Sequence, residues 1–322
     1  MKKKVLAALI AAQMVVSLCP AGRIWAADVD NQQNIVQQSD EEETNSAQNE
    51  LDEVSVEQST ESELYGATDE SDFKWDGNTI TKYIGSDTNV VIPNRATGIG
   101  YQAFYGRDDI QFVNIPESVT SIGEQAFYGC AKLTSIVIPS RVQGISREAF
   151  KKCTGLTSFE IKSPILKSTG YGIFSGCINL KNIKITGNMT FIPAYMFGGA
   201  TYLENVNIPS TVTSIGYEAF DGCAALKEIT VPESVTSIGE QAFCGCTKLT
   251  NVVIPSRVQE ISREAFRGCT DITSFEIKSP VLKSTGYGIF SGCINLKSIK
   301  ITGDMKFIPA YMFGGATYLE SV

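Results

Sequence analysis

Three features of the sequence predict an α/β repeat solenoid of the leucine-rich-repeat type, with parallel β-strands on one face and short helical turns or extended segments on the other. A small or apolar residue followed by Phe recurs every 23 or 24 residues, and each repeat carries a short strand-like pattern. The position three residues after the Phe is Cys or Ala in most repeats, so equivalent positions form a column of small residues. Units of this length cannot bury an apolar face alone and must stack. The recurring pairs are Ala103-Phe104, Ala126-Phe127, Ala149-Phe150, Ile173-Phe174, Met196-Phe197, Ala219-Phe220, Ala242-Phe243, Ala265-Phe266, Ile289-Phe290 and Met312-Phe313.

Residues 1–27 are predicted to be a signal peptide. Three lysines open the chain, an apolar run follows from Val5 to Leu18, and small residues stand at Ala26 and Ala27. The run is too short to span a bilayer comfortably. We expect cleavage after one of the two alanines and no transmembrane segment after it. Lipoprotein processing at Cys19 is the alternative, which the bulky residue before the cysteine disfavours.

Residues 28–72 are predicted to be an acidic disordered spacer. They carry 15 acidic side chains and no Lys or Arg, and such a composition cannot bury enough apolar surface to offset its chain entropy. A specific acidic ligand motif is the alternative. Subtracting these residues leaves 35 minus 15, or 20, acidic side chains after residue 72, against 27 minus 4, or 23, basic ones. The repeat region is therefore close to neutral, which gives no indication of a nucleic-acid partner.

Residues 73–322 are predicted to form the solenoid, as about ten coils. The coil at 133–153 shows the design: a strand with alternate residues inward, a proline that ends it, an extended return segment, and a short helix or 3₁₀ turn over 146–153. Adjacent coils should pair their strand backbones in parallel. The residues expected to face inward are Leu133, Ile136, Ile138, Val142, Ile145, Ala149, Phe150 and Cys153.

The cysteines predict buried free thiols rather than a disulfide framework, although the chain carries nine of them. Ala200 and Ala316 occupy the same column as seven of them, so the position accepts any small residue. Side chains stacked in register suit the disulfide dihedral poorly. Cys244 lies outside the column, replaces Tyr128 of the earlier copy, and is expected to be the most accessible. The column cysteines are Cys130, Cys153, Cys177, Cys223, Cys246, Cys269 and Cys293.

A longer duplication covers five coils, because 117–206 and 233–322 differ at only 14 of 90 positions. Both copies contain one 24-residue coil, near Pro164 and Pro280. The segment from Trp75 to Pro93 is expected to be an atypical capping coil. The last residues end inside a predicted strand, so we expect a chain truncated in mid-coil.

The repeated motif I-P-x-x-V-x-x-I-G-x-x-A-F-x-G-C, seen at 115–130, resembles that of the BspA-like leucine-rich repeat surface proteins. The resemblance covers about 73–322, and only the coils at 162–174 and 186–197 and their copies lack the I-P step. It implies a bacterial or protozoan surface or secreted protein, of which several are adhesins for host matrix or other cells. It supplies no ligand residues shared across the family.

The sequence gives little support to catalysis, cofactors or metals. It contains no histidine, which excludes Ser-His-Asp and Cys-His catalysis and zinc sites built on HExxH. Cys244-Gly-Cys246 could hold a soft metal, but Cys246 belongs to the buried column. The segment from Gly98 to Ala103 mimics a dinucleotide fingerprint only because the repeat places Gly and Ala there. We therefore expect no enzyme.

The outward positions of the strands are the expected ligand surface, because stacking aligns them in rows. We expect a secreted or cell-surface protein that binds a protein or glycan on host or neighbouring cells, without nucleic acid. Opposite charges in the row could instead pair only with each other. A non-binding spacer of a larger envelope protein, or the repeat part of a truncated exported enzyme, are the other hypotheses. The candidate residues are Glu160, Lys184, Asn207, Thr230, Glu276 and Lys300.

Overall fold

The computed structural model describes residues 66–164, 166, 168–302 and 308–322. The predicted signal peptide and most of the predicted spacer lie outside these residues. Each regular coil contributes a first strand, a shorter second strand and a turn that carries the recurring Phe. Within the described ranges, no helix is long and apolar enough to cross a membrane.

A hairpin and two rows of strands make up the fold. The hairpin is β1 (Phe73–Asp76) and β2 (Thr79–Tyr83). The first strands are β3 (Asn89–Val91), β5 (Phe112–Asn114), β7 (Ser135–Ile138), β9 (Ser158–Ile161), β11 (Asn182–Ile185), β13 (Asn205–Val206), β16 (Asn251–Ile254), β18 (Ser274–Ile277) and β20 (Ser298–Ile301). The second strands are β4 (Gly98–Ile99), β6 (Ser121–Ile122), β8 (Gly144–Ile145), β10 (Ser168–Thr169), β12 (Phe191–Ile192), β14 (Ser214–Ile215), β15 (Ser237–Ile238), β17 (Glu260–Ile261) and β19 (Ser284–Thr285).

The strands pair in parallel from coil to coil, as the sequence predicts, except in the antiparallel β1–β2 hairpin. The first strands form the sheets β3-β5, β7-β9-β11-β13 and β16-β18-β20. The hairpin joins second strands in the sheet β1-β2-β4-β6-β8-β10, and the other second strands form β12-β14-β15-β17-β19. Registers join equivalent positions, so Ile136 lies opposite Phe159 and Ile183 lies opposite the same ring. Equivalent residues therefore line up in columns along the solenoid.

The core is the inside of this stack. Every inward residue predicted for the coil at 133–153 is fully buried. The recurring Phe rings form a continuous spine, in which neighbouring ring centroids are 4.8 Å apart between Phe104 and Phe127 and 6.1 Å apart between Phe266 and Phe290. Most of these rings are nearly parallel, at 3° between Phe220 and Phe243. A Phe from each coil thus covers the Phe of the next.

The predicted short helix or 3₁₀ turn over 146–153 is wrong. In the described residues, the single 3₁₀ helix is Glu70–Asp72, outside the coils. Glu148 has φ 55° and Lys152 has φ 60°, and a right-handed helix cannot pass through such residues. Alternate amides of the turn bond to the next coil, as from Phe150 N to Ile173 O at 3.0 Å, and those between them close single turns, as from Cys153 N to Phe150 O at 3.2 Å. The turn is thus a third row of backbone pairing.

The first coil is capped by the β1–β2 hairpin, in the segment where the sequence predicts an atypical coil. Tyr83 continues the spine, with its ring centroid 5.4 Å from that of Phe104. Trp75 covers the end, and the Arg95 guanidinium lies 3.9 Å from its ring centroid. Thr68, assigned by sequence to the spacer, is buried against this cap, and its amide donates to Val91 O at 3.0 Å.

Candidate ligand surface

Glu160 and Lys184 lie opposite each other on β9 and β11, in the outward row that the sequence proposes. Their inward neighbours Phe159 and Ile183 are buried in the core, which fixes the opposite direction for the charged side chains. The Lys184 ammonium is 3.6 Å from the Glu160 carboxylate, and Lys162 approaches the same carboxylate at 3.8 Å. Glu160 is only 4% exposed, because the two lysines and the adjacent coils cover it.

The second copy has the same pair in a more open form. Lys300 donates to Glu276 at 2.7 Å between β20 and β18. This hydrogen bond lowers the pKa of the Glu276 carboxyl, against a smaller opposing effect of burial. The Lys300 side chain is 74% exposed, compared with 21% for Lys184. The two copies therefore present the same charge pattern, and its lysine is more accessible to solvent in the second copy.

Asn207 and Thr230 occupy the coils between the two charged pairs, and both are exposed. Asn207 directly follows β13, and the segment around Thr230 has the coil path without an assigned strand. We call this outward row the strand row; it runs from an ion pair through the neutral residues Asn207, Thr230 and Val253 to a second ion pair. The structure places all six candidate residues in this row, and the predicted pairing of Glu160 with Lys184 and of Glu276 with Lys300 is present.

A second exposed row lies on the turns, where sequence reasoning placed no site. Its members stand three residues before each spine Phe. The residue after each member donates its amide to the carbonyl oxygen of the member on the next coil, as from Tyr195 N, which follows Ala194, to Tyr217 O at 2.9 Å. We call it the turn row. It reads Tyr101, Glu124, Arg147, Tyr171, Ala194, Tyr217, Glu240, Arg263, Tyr287 and Ala310.

Glu, Arg and Tyr side chains interact along this turn row in both copies. The Arg147 guanidinium lies 2.9 Å from the Glu124 carboxylate and donates to the Tyr171 hydroxyl at 2.7 Å. In the second copy, Arg263 is 3.4 Å from Glu240, and its guanidinium lies 4.6 Å from the ring centroid of Tyr287. The arginines hold the tyrosine rings in place while leaving them partly exposed.

The residue after each turn-row member forms a polar ladder in part of the stack. Gln102 donates to Gln125 and Gln125 donates to Glu148, both at 2.7 Å. Partial burial raises the pKa of Glu148, but hydrogen bonds from Lys151 and Gln125 outweigh it and leave the pKa below its usual value. These contacts satisfy the ladder internally, so it stabilises the turns rather than offering open ligand atoms.

The cysteine column is buried, as predicted. Each of its thiols donates to the carbonyl oxygen of the spine Phe one coil earlier, as from Cys153 Sγ to Phe127 O at 3.0 Å. Cys244 is half-buried and lies near Asp221, whose pKa rises to about 6 through burial and the charge of Glu218. In the part of the chain that the structure describes, no cluster of three or more His, Cys, Asp or Glu side chains could hold a metal ion.

Comparison with known proteins matches this geometry to one repeat family. Residues 82–204 and 190–320 match the BspA type leucine rich repeat region, in six copies. A search of curated proteins finds no match.

Two solved bacterial structures are similar to the chain. A leucine-rich cell surface protein from Faecalibacterium prausnitzii is 25% identical, with a TM-score of 0.53 over 80% of this chain and 94% of that one. A leucine-rich repeat protein from Bacteroides ovatus is also 25% identical, with a TM-score of 0.58 over 80% of this chain and 73% of that one.

Proposed function

The chain belongs to the BspA-type leucine-rich repeat family, and from this we propose that it is a secreted or cell-surface binding protein whose solenoid presents its rows to a protein or glycan on host or neighbouring cells. A neighbour of the same fold is described as a cell surface protein, which supports display outside the cell. The predicted signal peptide points the same way. Adhesion is the role that this combination favours.

The observation that carries the proposal is the repeated charge pattern of the strand row. The Glu276–Lys300 pair stands on the surface as a copy of Glu160–Lys184, with the neutral Asn207, Thr230 and Val253 between the two pairs. Repetition at a fixed spacing favours several weak contacts with an extended ligand, which together give useful avidity. We assign the contacts to Lys184, Asn207, Thr230, Glu276 and Lys300, while the buried Glu160 orients Lys184 through their ion pair.

The two lysines differ in what their substitution tests. Lys184 neutralises the buried Glu160, so Lys184→Glu would place two carboxylates together and destabilise the coil as well as change the surface. Lys300 is exposed, and Lys300→Glu changes mainly the charge presented to a ligand. Lys248→Glu is a matched control, because it makes the same change at an exposed residue outside the strand row.

The test is a binding screen of the mature chain against matrix proteins, glycan arrays and intact cells, followed by the variants on each hit. For an acidic ligand, Lys300→Glu should weaken binding and Lys248→Glu should not, and the difference should shrink at high salt because screening shortens the reach of surface charge. If both variants bind like the wild type to every hit, the strand row is not the contact surface.

The spacer hypothesis predicts a different result from the same screen. A solenoid that only holds another module away from the cell would give no saturable binding to any probe. Residues outside the described ranges would then carry any interaction of the chain. This outcome would contradict the proposed function.

A further inference from the structure

We propose that the turn row carries a binding site for an extended β-1,4-linked glycan, centred on Tyr171, Ala194 and Tyr217. The inference deepens the proposed function by naming a ligand class and a second surface, and it rests on that function for its biological setting. The geometry points to it through three properties of the row: exposed rings, their spacing, and the polar groups beside them.

Both tyrosine rings are exposed to solvent. Tyr171 is 44% exposed and Tyr217 is 38% exposed. Tyr195, which precedes the turn's Met-Phe pair, packs edge-on against Tyr217 with ring centroids 5.1 Å apart. Phe191, on β12 of the same coil, adds another exposed ring. Four aromatic side chains on three successive coils are a concentration that scattered surface residues do not explain.

Small residues keep the space between the rings open. Ala194 occupies the turn-row position between Tyr171 and Tyr217. Gly172 lies in the column of Tyr195, one coil earlier, and adds no side chain there; a Cβ atom at this position would be in contact with Glu148 Cγ at 3.5 Å and with Tyr195 Cβ at 4.0 Å. The result is two aromatic positions in one column with a shallow gap between them.

The spacing of this column fits a β-1,4-linked chain. The spine rings that mark these coils are 5.8 Å apart between Phe174 and Phe197 and 5.1 Å apart between Phe197 and Phe220. Backbone pairing sets a similar distance between neighbouring coils along the turn row. An extended β-1,4-linked glycan advances by roughly the same distance per sugar, and its two-fold screw presents the same face at every second sugar. Sugars that stack on Tyr171 and Tyr217 would therefore be separated by one sugar above Ala194.

Polar side chains stand where hydroxyl groups of the sugars would lie. Arg147 precedes Tyr171 in the row and already donates to its hydroxyl, and Glu240 follows Tyr217. Glu218 hydrogen-bonds to Tyr217, which, together with burial, raises the pKa of that phenol. Guanidinium and carboxylate groups beside aromatic rings combine apolar contact with the C–H face of a sugar and hydrogen bonds to its hydroxyls.

The sequence duplication repeats part of this site in the second copy. Tyr287 and Ala310 repeat Tyr171 and Ala194, and Tyr311 repeats Tyr195 at 70% exposure. Arg263 lies against Tyr287 as Arg147 lies against Tyr171. A long glycan lying along the solenoid would therefore meet tyrosines at both places, which raises affinity with chain length.

The test is calorimetric titration of the mature chain with chitohexaose and cellohexaose, and with maltohexaose as the α-1,4-linked control. We expect saturable binding of at least one β-1,4 hexasaccharide, weaker binding of its disaccharide, and none of the α-linked chain. Tyr171→Ala and Tyr217→Ala should each weaken the affinity about tenfold. Tyr202→Ala is the matched control, since Tyr202 is an exposed tyrosine of the same region outside the turn row.

A second variant keeps the proposal falsifiable if a tyrosine substitution disturbs the turn. Ala194→Leu retains both rings but raises the surface between them, so it should also weaken the hexasaccharide. Wild-type chain that binds none of the β-1,4 oligosaccharides, or tyrosine variants that bind them unchanged, would overturn the proposal. If the tyrosine variants lose a protein ligand instead, the row is a protein-binding surface and the glycan proposal fails while the proposed function stands.

Discussion

The Cys246 thiol donates a hydrogen bond to the Phe220 carbonyl oxygen one coil earlier, at 3.3 Å. The same oxygen accepts the Cys223 amide within its own coil, at 3.1 Å. The thiol thus uses the second lone pair of a buried carbonyl. Burial raises the pKa of Cys246 well above its usual value, so the thiol keeps the proton that it donates. The cysteine column is therefore both a small packing position and part of the hydrogen-bonding network.

The column thiols should be chemically protected, and Cys244 should react first. In thiol titration of the unfolded mature protein without reductant, most of its eight cysteines should be counted. In the folded state, alkylation should reach Cys244 well before Cys246, because Cys244 is half-buried and Cys246 is fully buried. Mass spectrometry that finds Cys130 joined to Cys153, or Cys246 joined to Cys269, would contradict this account.

Phe220→Ala should destabilise the solenoid by about 3–5 kcal/mol, because it removes a fully buried ring from the middle of the spine. Each coil is stabilised by its neighbours, so several coils should unfold together. Denaturant unfolding followed by circular dichroism gives the change, with the exposed Tyr202→Ala as control. A Phe220→Ala variant with the same free energy of unfolding as wild type would show that the Phe column is not core.

Gly268→Ala should cost about 1 kcal/mol, because Gly268 has φ 70°, which disfavours any residue with a Cβ atom. Lys152 holds the equivalent position of the other copy at φ 60° and already bears this strain. Lys152→Ala should therefore change the free energy of unfolding by less than about 0.5 kcal/mol. Equal effects of the two substitutions would show that the turn conformation does not select glycine.

Asp221 should make the solenoid less stable as the pH rises from about 4 to 6. Burial and the Glu218 charge raise its folded-state pKa to about 6, while hydrogen bonding to Cys244 and the charge of Arg267 act in the opposite direction. The folded protein thus binds more protons than the unfolded protein in this window, and stability falls as they leave. Since the side chain is partly solvated, we expect about 1–2 kcal/mol.

The measurement for Asp221 is the difference in unfolding free energy between wild type and Asp221→Asn at several pH values. The amide cannot ionise, so the variant should gain stability relative to wild type between about pH 4 and 6 and remain constant above. Carboxyls that do not interact with Asp221 contribute equally to both proteins and cancel. A difference that is the same at pH 4 and pH 7 would show that this carboxyl has an ordinary pKa.

The strands, the core and the surface rows differ in how far the sequence predicts them. Alternation at Ile136 and Ile138 and the proline after them suffice for the first strand. The turns could not be assigned in the same way, because the left-handed residue before each Ala-Phe pair is often Gln or Glu, which give no such signal. The predicted helix then hid the turn row, although aligning the residues three before each Phe would have revealed its tyrosines.

The central claim is that the solenoid itself binds the ligand. The most direct test deletes the residues that precede the solenoid in the sequence. The deletion should span 28–65 and not reach 72, because Thr68 and the 3₁₀ helix Glu70–Asp72 belong to the described structure around the cap. For any ligand found in the screen, we predict a dissociation constant within about threefold of that of the mature chain, the residual change being electrostatic. Loss of binding with the deletion, together with unchanged binding in Lys300→Glu, Tyr171→Ala and Tyr217→Ala, would contradict the claim.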